Sequence, residues 1–189
     1  MPIIQLVAFR GTGGVINRNS PYFGQEPGLV RAGHVGLKSI LADDPEAIIG
    51  FSPTPDATNA LGGEQDLLDK LVKEHDAQPG CLQDDTAVFE RAYELIDETR
   101  GRTTVWMLDV EISDDALREI RSWYTEQYTA KYNLPEKEPP EFQEGQYNCA
   151  TFPAKLNVPI PAATGKLQQY IKYMIEKGAV EWTPKNPNP

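Results

Sequence analysis

Cys149 is the residue with the strongest indication of reactive chemistry. The segment Tyr147-Asn148-Cys149-Ala150-Thr151-Phe152-Pro153 predicts a helix that begins at Cys149, because proline is tolerated in the first helical turn but not in the interior. At the N-cap or N1 position, free backbone N–H groups favour a thiolate and lower the pKa of the thiol. The same groups can hold the oxyanion of a tetrahedral intermediate. Cys149 is therefore the predicted nucleophile, and the alternative is an ordinary small buried residue.

A thiolate nucleophile needs a proton acceptor, and the chain contains only two histidines. His34 lies on a predicted strand, where Gly33 and Gly36 leave space on both sides of its ring. His75 lies beside Asp76 in the last turn of a predicted helix, where a positive charge is favoured. Its position is therefore explained without a catalytic role. His34 is therefore the predicted base, and the alternative is a buried histidine with a structural role.

A third polar residue should orient the imidazole. A hairpin turn centred on Asp43 places Ser52 opposite His34, so Ser52 is the predicted third catalytic residue. A hydroxyl orients a ring less strongly than Asn or Asp, and Asp56 is the nearest carboxylate beyond that strand. The pairs Asp84/Asp85 and Asp114/Asp115 are interpreted as helix starts, where negative charge is favoured.

The remaining motifs indicate neither a metal nor a cofactor. Cys81 follows Pro79-Gly80 in a predicted loop and is interpreted as structural. The cysteines and histidines lack the close local pairs of structural zinc sites. The glycines at Gly11–Gly14 match neither a phosphate-binding loop nor a dinucleotide-binding fingerprint. We therefore expect catalysis without a cofactor.

The strands and helices that the sequence pattern predicts around these residues indicate an α+β fold. In this fold, a small antiparallel sheet that carries His34 packs against helices. We expect one domain over residues 1–182, a loose tail over 183–189, and a groove shaped by the loops Asn17–Arg31 and Asn133–Gln146. The predicted strands are Ile3–Phe9, Gly33–Ile40, Ala47–Ser52 and Thr103–Ile112. The predicted helices are Glu64–Asp76, one after Asp85, one capped by Ser113 with Tyr124, Tyr128 and Tyr132 on its buried side, a short one from Cys149, and one from Thr164 to Gly178.

Charge and hydropathy limit the kinds of partner. Lys and Arg total 18 against 28 Asp and Glu, so the formal net charge is −10, which argues against nucleic acid and anionic membranes. No apolar run approaches the roughly 20 residues of a membrane-spanning helix, and the N-terminus lacks a signal-peptide pattern. We expect a protein that is cytoplasmic in the producing cell, or secreted without a signal peptide.

The order of these features resembles the circularly permuted papain-like hydrolases, which comprise permuted NlpC-type cell-wall amidases and relatives of lecithin retinol acyltransferase. A strand with Gly33-His34-Val35-Gly36 precedes Asn148-Cys149-Ala150-Thr151-Phe152, which is similar to the N-C-x-x-F/W start of their nucleophile helix, and Leu156–Pro161 is similar to the linker after it. The resemblance implies a permuted papain-like fold with Cys149 as nucleophile and His34 as base. The family's third residue is commonly His, Asn, Asp or Glu, and Gly50 and Ser52 occupy the strand that would carry it here.

The resemblance implies a cysteine hydrolase that cleaves an amide bond, with peptide or peptidoglycan of the bacterial cell wall as substrate. The resemblance also suggests that the protein is a secreted antibacterial effector. Its partners would then be a cognate inhibitor or a component of a secretion system. One alternative is a thiol-dependent deamidase, protease or acyltransferase that acts on a protein or a lipid. Another is a non-catalytic acidic binding or immunity protein, for which Cys149 would be unreactive and more than about 5 Å from His34.

Overall fold

The computed structural model describes residues 1–11, 33–74, 76–98, 103–127, 129–134, 145–155 and 167–183. These residues form an α+β fold, as predicted, with one eight-stranded sheet. Its strands are β1 (Ile3–Arg10), β2 (His34–Lys38), β3 (Ile48–Pro53), β4 (Gln78–Asp84), β5 (Thr104–Glu111), β6 (Thr129–Tyr132), β7 (Gln146–Tyr147) and β8 (Val180–Trp182). The helices are α1 (Pro55–Ala60), α2 (Glu64–Asp69), α3 (Thr86–Glu98), α4 (Asp114–Thr125), α5 (Phe152–Lys155) and α6 (Leu167–Glu176), and a π-helical turn over Lys70–Glu74 extends α2.

The sheet is larger than predicted and is not purely antiparallel. Its strand order is β7-β6-β4-β3-β2-β1-β5-β8, and the pairing of β6 with β7 is parallel. The expectation of a small antiparallel sheet is therefore wrong, chiefly because the sequence pattern does not predict β4 and β6 as strands. Strand β4 contains Pro79-Gly80, a pair that is typical of a helix stop. The carbonyl of Pro79 accepts a hydrogen bond of 2.8 Å from the Thr54 N–H, so the proline takes part in this sheet as an acceptor.

The register of the central hairpin agrees with the prediction from its turn. Gly36 pairs with Gly50 and Leu37 with Ile49, which is the alignment that places His34 and Ser52 opposite each other. A register is set locally where a short connection joins two strands with buried faces. The turn therefore determines that the two polar side chains meet.

Two core clusters lie against the sheet. Strand β1 shows the division clearly, because its alternate residues belong to different clusters. The smaller cluster includes Phe89 and Ala92 of α3, and the larger one includes Tyr170 and Met174 of α6. Ile4, Leu6 and Ala8 belong to the larger cluster, and Val7 and Phe9 to the smaller. The helices thus bury both sets of apolar strand residues.

Helix α4 begins where the sequence predicts and ends earlier than expected. The Ser113 hydroxyl accepts a hydrogen bond of 3.1 Å from the Ala116 N–H and caps the helix. The helix ends at Thr125, and Gln127 then takes a left-handed conformation with φ 52°. Tyr132 consequently lies on strand β6 and not on the buried side of α4, which corrects that prediction.

The other predicted helices are present, with some boundaries outside the described residues. Helix α6 buries Tyr170, Ile171 and Met174, and Gly178 ends it with a φ of 94°. Several features of the sequence analysis lie outside the described residues. They are His75, Tyr128, Thr164, the linker Leu156–Pro161, the loop Asn17–Arg31, most of Asn133–Gln146, and residues 184–189 of the predicted tail.

Candidate active site

Three buried polar side chains meet beside β2 and β3. His34 Nε2 lies 2.7 Å from Asp85 Oδ2 and 3.2 Å from Ser52 Oγ. The Ser52 hydroxyl donates a hydrogen bond of 2.8 Å to the same carboxylate oxygen. The exposed fractions of His34, Ser52 and Asp85 are 0%, 0% and 4%, so solvent does not compete for these bonds. The structure therefore confirms that Ser52 contacts His34 and adds a carboxylate as the shorter contact.

Asp85 is the site residue that the sequence analysis missed. It lies between β4 and α3, where its N–H donates to the Ile48 carbonyl at 2.9 Å and its carbonyl accepts from Val88 at the start of α3. The neighbouring Asp84 supplies the helix-start interaction, since its Oδ1 accepts from the Thr86 N–H at 2.9 Å. The Asp85 carboxylate is thus free to turn toward His34, and interpreting it only as a helix start is wrong.

Gly50 provides the space for this pair. A Cβ atom built at Gly50 would overlap Asp85 Oδ2 and would lie 2.5 Å from His34 Nε2. Any side chain at this position would therefore displace the carboxylate or the ring. The sequence resemblance predicts a third polar residue on this strand, and Gly50 has no side chain to supply it. The structure shows that its missing side chain makes room for Asp85.

Cys149 lies in a turn capped by Asn148. Asn148 Oδ1 accepts hydrogen bonds of 2.9 Å from both the Ala150 and the Thr151 N–H, and the Asn148 carbonyl accepts from Phe152 at 3.0 Å. Cys149 therefore follows the cap residue directly, which is the predicted position. The regular helix α5 begins only at Phe152 and has four residues. Such a short helix is a weak source of electrostatic activation.

His34 is the main source of Cys149 activation. Burial raises the pKa of Cys149, but the charge and hydrogen bond of His34, the Val35 backbone and the Tyr132 hydroxyl outweigh burial and lower it. The prediction that a helix N-terminus activates the thiol is therefore corrected. The activating groups come from β2 and β6, which are far from Cys149 in sequence.

The imidazole of His34 is a stronger base than an ordinary histidine. Burial lowers its pKa, but interactions with Cys149 and Asp85 outweigh that effect and raise the pKa to about 10. Nε2 is occupied by Asp85 and Ser52, and the buried Nδ1 makes no hydrogen bond of good geometry among the described residues. Nδ1 is thus the ring atom left for the Cys149 sulfur. This arrangement shifts the pair toward a thiolate beside an imidazolium.

Tyr132 is a second residue that the sequence analysis did not place in the site. It is buried on β6 and stacks on Phe51, with ring centroids 5.9 Å apart. Burial and the nearby Cys149 raise the pKa of its hydroxyl well above the ordinary value. The hydroxyl therefore stays protonated and can donate to the thiolate. The four-residue strand that carries it is too short for a clear alternating pattern.

Two other residues considered in the sequence, Cys81 and Asp56, are not among the partners of His34. Cys81 is not in a loop, because it lies on β4 opposite Ser52. Burial and the charge of Asp85 raise the pKa of Cys81, which favours its neutral thiol. Asp56 lies exposed in the first turn of α1, and Asp85 occupies the position next to His34.

Neither a metal-binding cluster nor a membrane span occurs in the described part of the chain. Its His, Cys, Asp and Glu side chains form no group of three or more that could hold a metal ion. No helix among these residues is long and apolar enough to cross a bilayer. In comparisons with protein-family models, curated proteins and solved structures, nothing matches this chain.

Proposed function

We propose that the protein is a cysteine hydrolase in which Cys149 is the nucleophile and His34 transfers the proton. Asp85 is the residue that orients the imidazole, and Ser52 holds the Asp85 carboxylate. The observation that carries this proposal is the buried His34–Asp85 contact of 2.7 Å beside a cysteine whose pKa is lowered by the same histidine. Perturbed titratable groups that converge in this way are typical of catalytic sites.

The reaction follows from these protonation states. The Cys149 thiolate attacks the carbonyl carbon of an amide, and its sulfur–carbon bond forms while the carbonyl oxygen becomes an oxyanion. The His34 imidazolium then gives its proton to the leaving nitrogen as the carbon–nitrogen bond breaks. Water attacks the resulting thioester while His34 accepts a proton from it. The Cys149 thiolate leaves, and the acid product is released.

The backbone at the nucleophile contributes one candidate oxyanion donor. The Ala150 and Thr151 N–H groups are both bound to Asn148 Oδ1. The Cys149 N–H is not used by this cap, and it is adjacent to the attacking sulfur. A donor fixed in this position stabilises charge that develops only during the reaction.

The permuted papain-like fold is part of the proposal. Two observations support it: the histidine strand precedes the nucleophile turn in the chain, and the third residue is a carboxylate, as the family pattern allows. From the same resemblance we propose an amide in bacterial cell-wall peptide as the substrate. Delivery as an antibacterial effector, with a cognate inhibitor or a secretion-system partner, extends that resemblance.

Two alternatives differ in what they require of Cys149. A deamidase, protease or acyltransferase would use the same thioester intermediate, so only substrate identity distinguishes it. A non-catalytic binding protein requires Cys149 to be separate from His34. The mutual effects of the two residues on their pKa values support the enzyme.

Digestion of purified peptidoglycan tests the proposal, with released peptides identified by mass spectrometry. We expect new peptide termini with the native protein and none with Cys149→Ala or His34→Ala. Cys81→Ser is the matched control, since it removes the other thiol and should keep activity. Release that survives both site variants would contradict the proposal, while acyl-enzyme formation without peptidoglycan cleavage would favour the protein or lipid substrates.

A further inference from the structure

Tyr170 carries a buried hydroxyl without a partner. It lies on α6, its side chain has an exposed fraction of 0%, and it is among the largest fully buried side chains of the described residues. Its Oη makes no hydrogen bond within the described part of the structure. An unpaired buried hydroxyl is costly, and a phenylalanine ring would fill nearly the same space without that cost. The hydroxyl therefore calls for an explanation other than packing.

Helix α6 places Tyr170 near the candidate active site. Leu167, one turn earlier on the same helix face, lies so close to Gly33 that a Cβ on this glycine would overlap it. Gly33 directly precedes His34. Tyr170 and Cys149 also belong to the same continuous core cluster. Burial, followed by the charge of Cys149, raises the pKa of Tyr170 well above its ordinary value, so the hydroxyl remains a proton donor at neutral pH.

We propose that the Tyr170 hydroxyl donates a hydrogen bond to the oxyanion that forms when Cys149 attacks a carbonyl group. This inference rests on the proposed hydrolase function and adds a catalytic residue to it. A donor aimed at charge that appears only in the transition state has no partner in the resting enzyme. The unpaired Oη, buried in the same core cluster as the nucleophile, fits that requirement.

Para-nitrophenyl acetate is a probe for this role because its acyl transfer passes through a tetrahedral oxyanion. The Cys149 sulfur forms a bond to the acetyl carbon, and the carbonyl oxygen becomes negative. The bond from carbon to the nitrophenol oxygen then breaks, which releases para-nitrophenolate and leaves an acetyl thioester. Tyr170 keeps its proton throughout and only donates a hydrogen bond. Iodoacetamide is the complementary probe, because the thiolate displaces iodide at a saturated carbon and creates no oxyanion.

The experiment compares Tyr170→Phe with the native protein in both reactions. We expect acetylation of Cys149 to slow by roughly 100-fold or more, the effect of removing one oxyanion donor. Alkylation by iodoacetamide should change less than threefold, and the thermal unfolding midpoint should be unchanged or higher. Tyr93→Phe is the matched control, because Tyr93 packs on Trp182 at the smaller core cluster. It should leave both rates unchanged.

The outcomes separate this inference from the function on which it rests. Equal acetylation rates in Tyr170→Phe and the native protein would overturn the role of Tyr170 and leave the hydrolase proposal intact. Parallel loss of acetylation and alkylation would also overturn it, because Tyr170 would then act on the thiol itself. A native protein whose Cys149 is not acetylated at all would overturn both proposals.

Discussion

The carboxylate of Asp85 lies 2.7 Å from His34 Nε2, although the two residues are 51 positions apart in the chain and both side chains are buried. This contact occupies one ring nitrogen and leaves the other for Cys149. A buried carboxylate in this position stabilises the charged imidazole and holds one ring orientation. Through His34, a carboxylate buried in the core thereby affects the reactivity of the Cys149 thiol.

Asp85→Asn should lower the rate of Cys149-dependent hydrolysis by about 10²–10⁴-fold, the usual contribution of acid–base catalysis. The amide removes the negative charge that helps to raise the pKa of His34. Steady-state kinetics with para-nitrophenyl acetate measures the change. Asp84→Asn is the control, since Asp84 bonds to Thr86 outside the site. Equal losses in the two variants would show that helix-start stability, and not the contact with His34, matters.

Cys149 and Cys81 should differ in their alkylation by iodoacetamide as a function of pH. The pKa of Cys149 is lowered and that of Cys81 is raised, so Cys149 should react at mildly acidic pH where Cys81 does not. His34→Gln should shift the Cys149 profile toward alkaline pH, because the positive partner is lost. Mass spectrometry of the two cysteine peptides gives both profiles. Indifference of Cys149 to His34 would argue against the ion pair.

The free energy of unfolding should fall as the pH rises from about 9 to 10. Since the folded pKa of His34 is raised from 6.5 to about 10, its contribution is fully present below pH 6.5 and is lost as the pH rises through 10. The lowered pKa of Cys149 contributes in the opposite sense, but that gain is complete above its ordinary value of 9.0. Above pH 9 the loss at His34 remains, and the raised pKa of Cys81 adds a loss of the same sign because the unfolded chain releases that proton first.

Urea unfolding measured at intervals between pH 7 and pH 10 tests this linkage. The double variant His34→Gln/Cys149→Ser serves as the comparison, because it removes both titrating partners and leaves Cys81 in place. His34→Gln alone would raise the pKa of Cys149 and so replace one retained proton by another. The difference in unfolding free energy between the native protein and the double variant should shrink toward pH 10. A difference that stays constant across this interval would mean that His34 is not an imidazolium in the folded protein.

Gly50→Ala should disrupt the His34–Asp85 contact without replacing either of these two residues. The added methyl group would overlap Asp85 Oδ2, and such overpacking typically costs about 1–3 kcal/mol of stability. We expect a large loss of Cys149-dependent activity together with a lower unfolding midpoint. Ser52→Ala is the informative comparison, because it removes only a hydrogen bond to Asp85 and should have the milder effect on activity. Full activity in Gly50→Ala would contradict the role assigned to the contact.

Features that depend on near neighbours in the chain follow from the amino-acid sequence alone. Three features result from interactions over a few residues. They are the Ser113 cap, the turn at Asn148-Cys149, and the register that places His34 opposite Ser52. Side-chain caps and hairpin turns act over such short distances, so their residue types are sufficient evidence. For the same reason, local sequence context is enough to single out Cys149 and His34 as candidates.

The groups that surround those candidates depend on tertiary packing. Asp84 and Asp85 are identical in type and adjacent, and only the packing of α3 on β3 turns one toward Thr86 and the other toward His34. Tyr132 reaches Cys149 because β6 joins the sheet beside β4, a pairing between segments distant in the chain. The pairing of distant strands and the direction of side chains are set by burial of the whole core. They therefore cannot be predicted from local secondary-structure propensity.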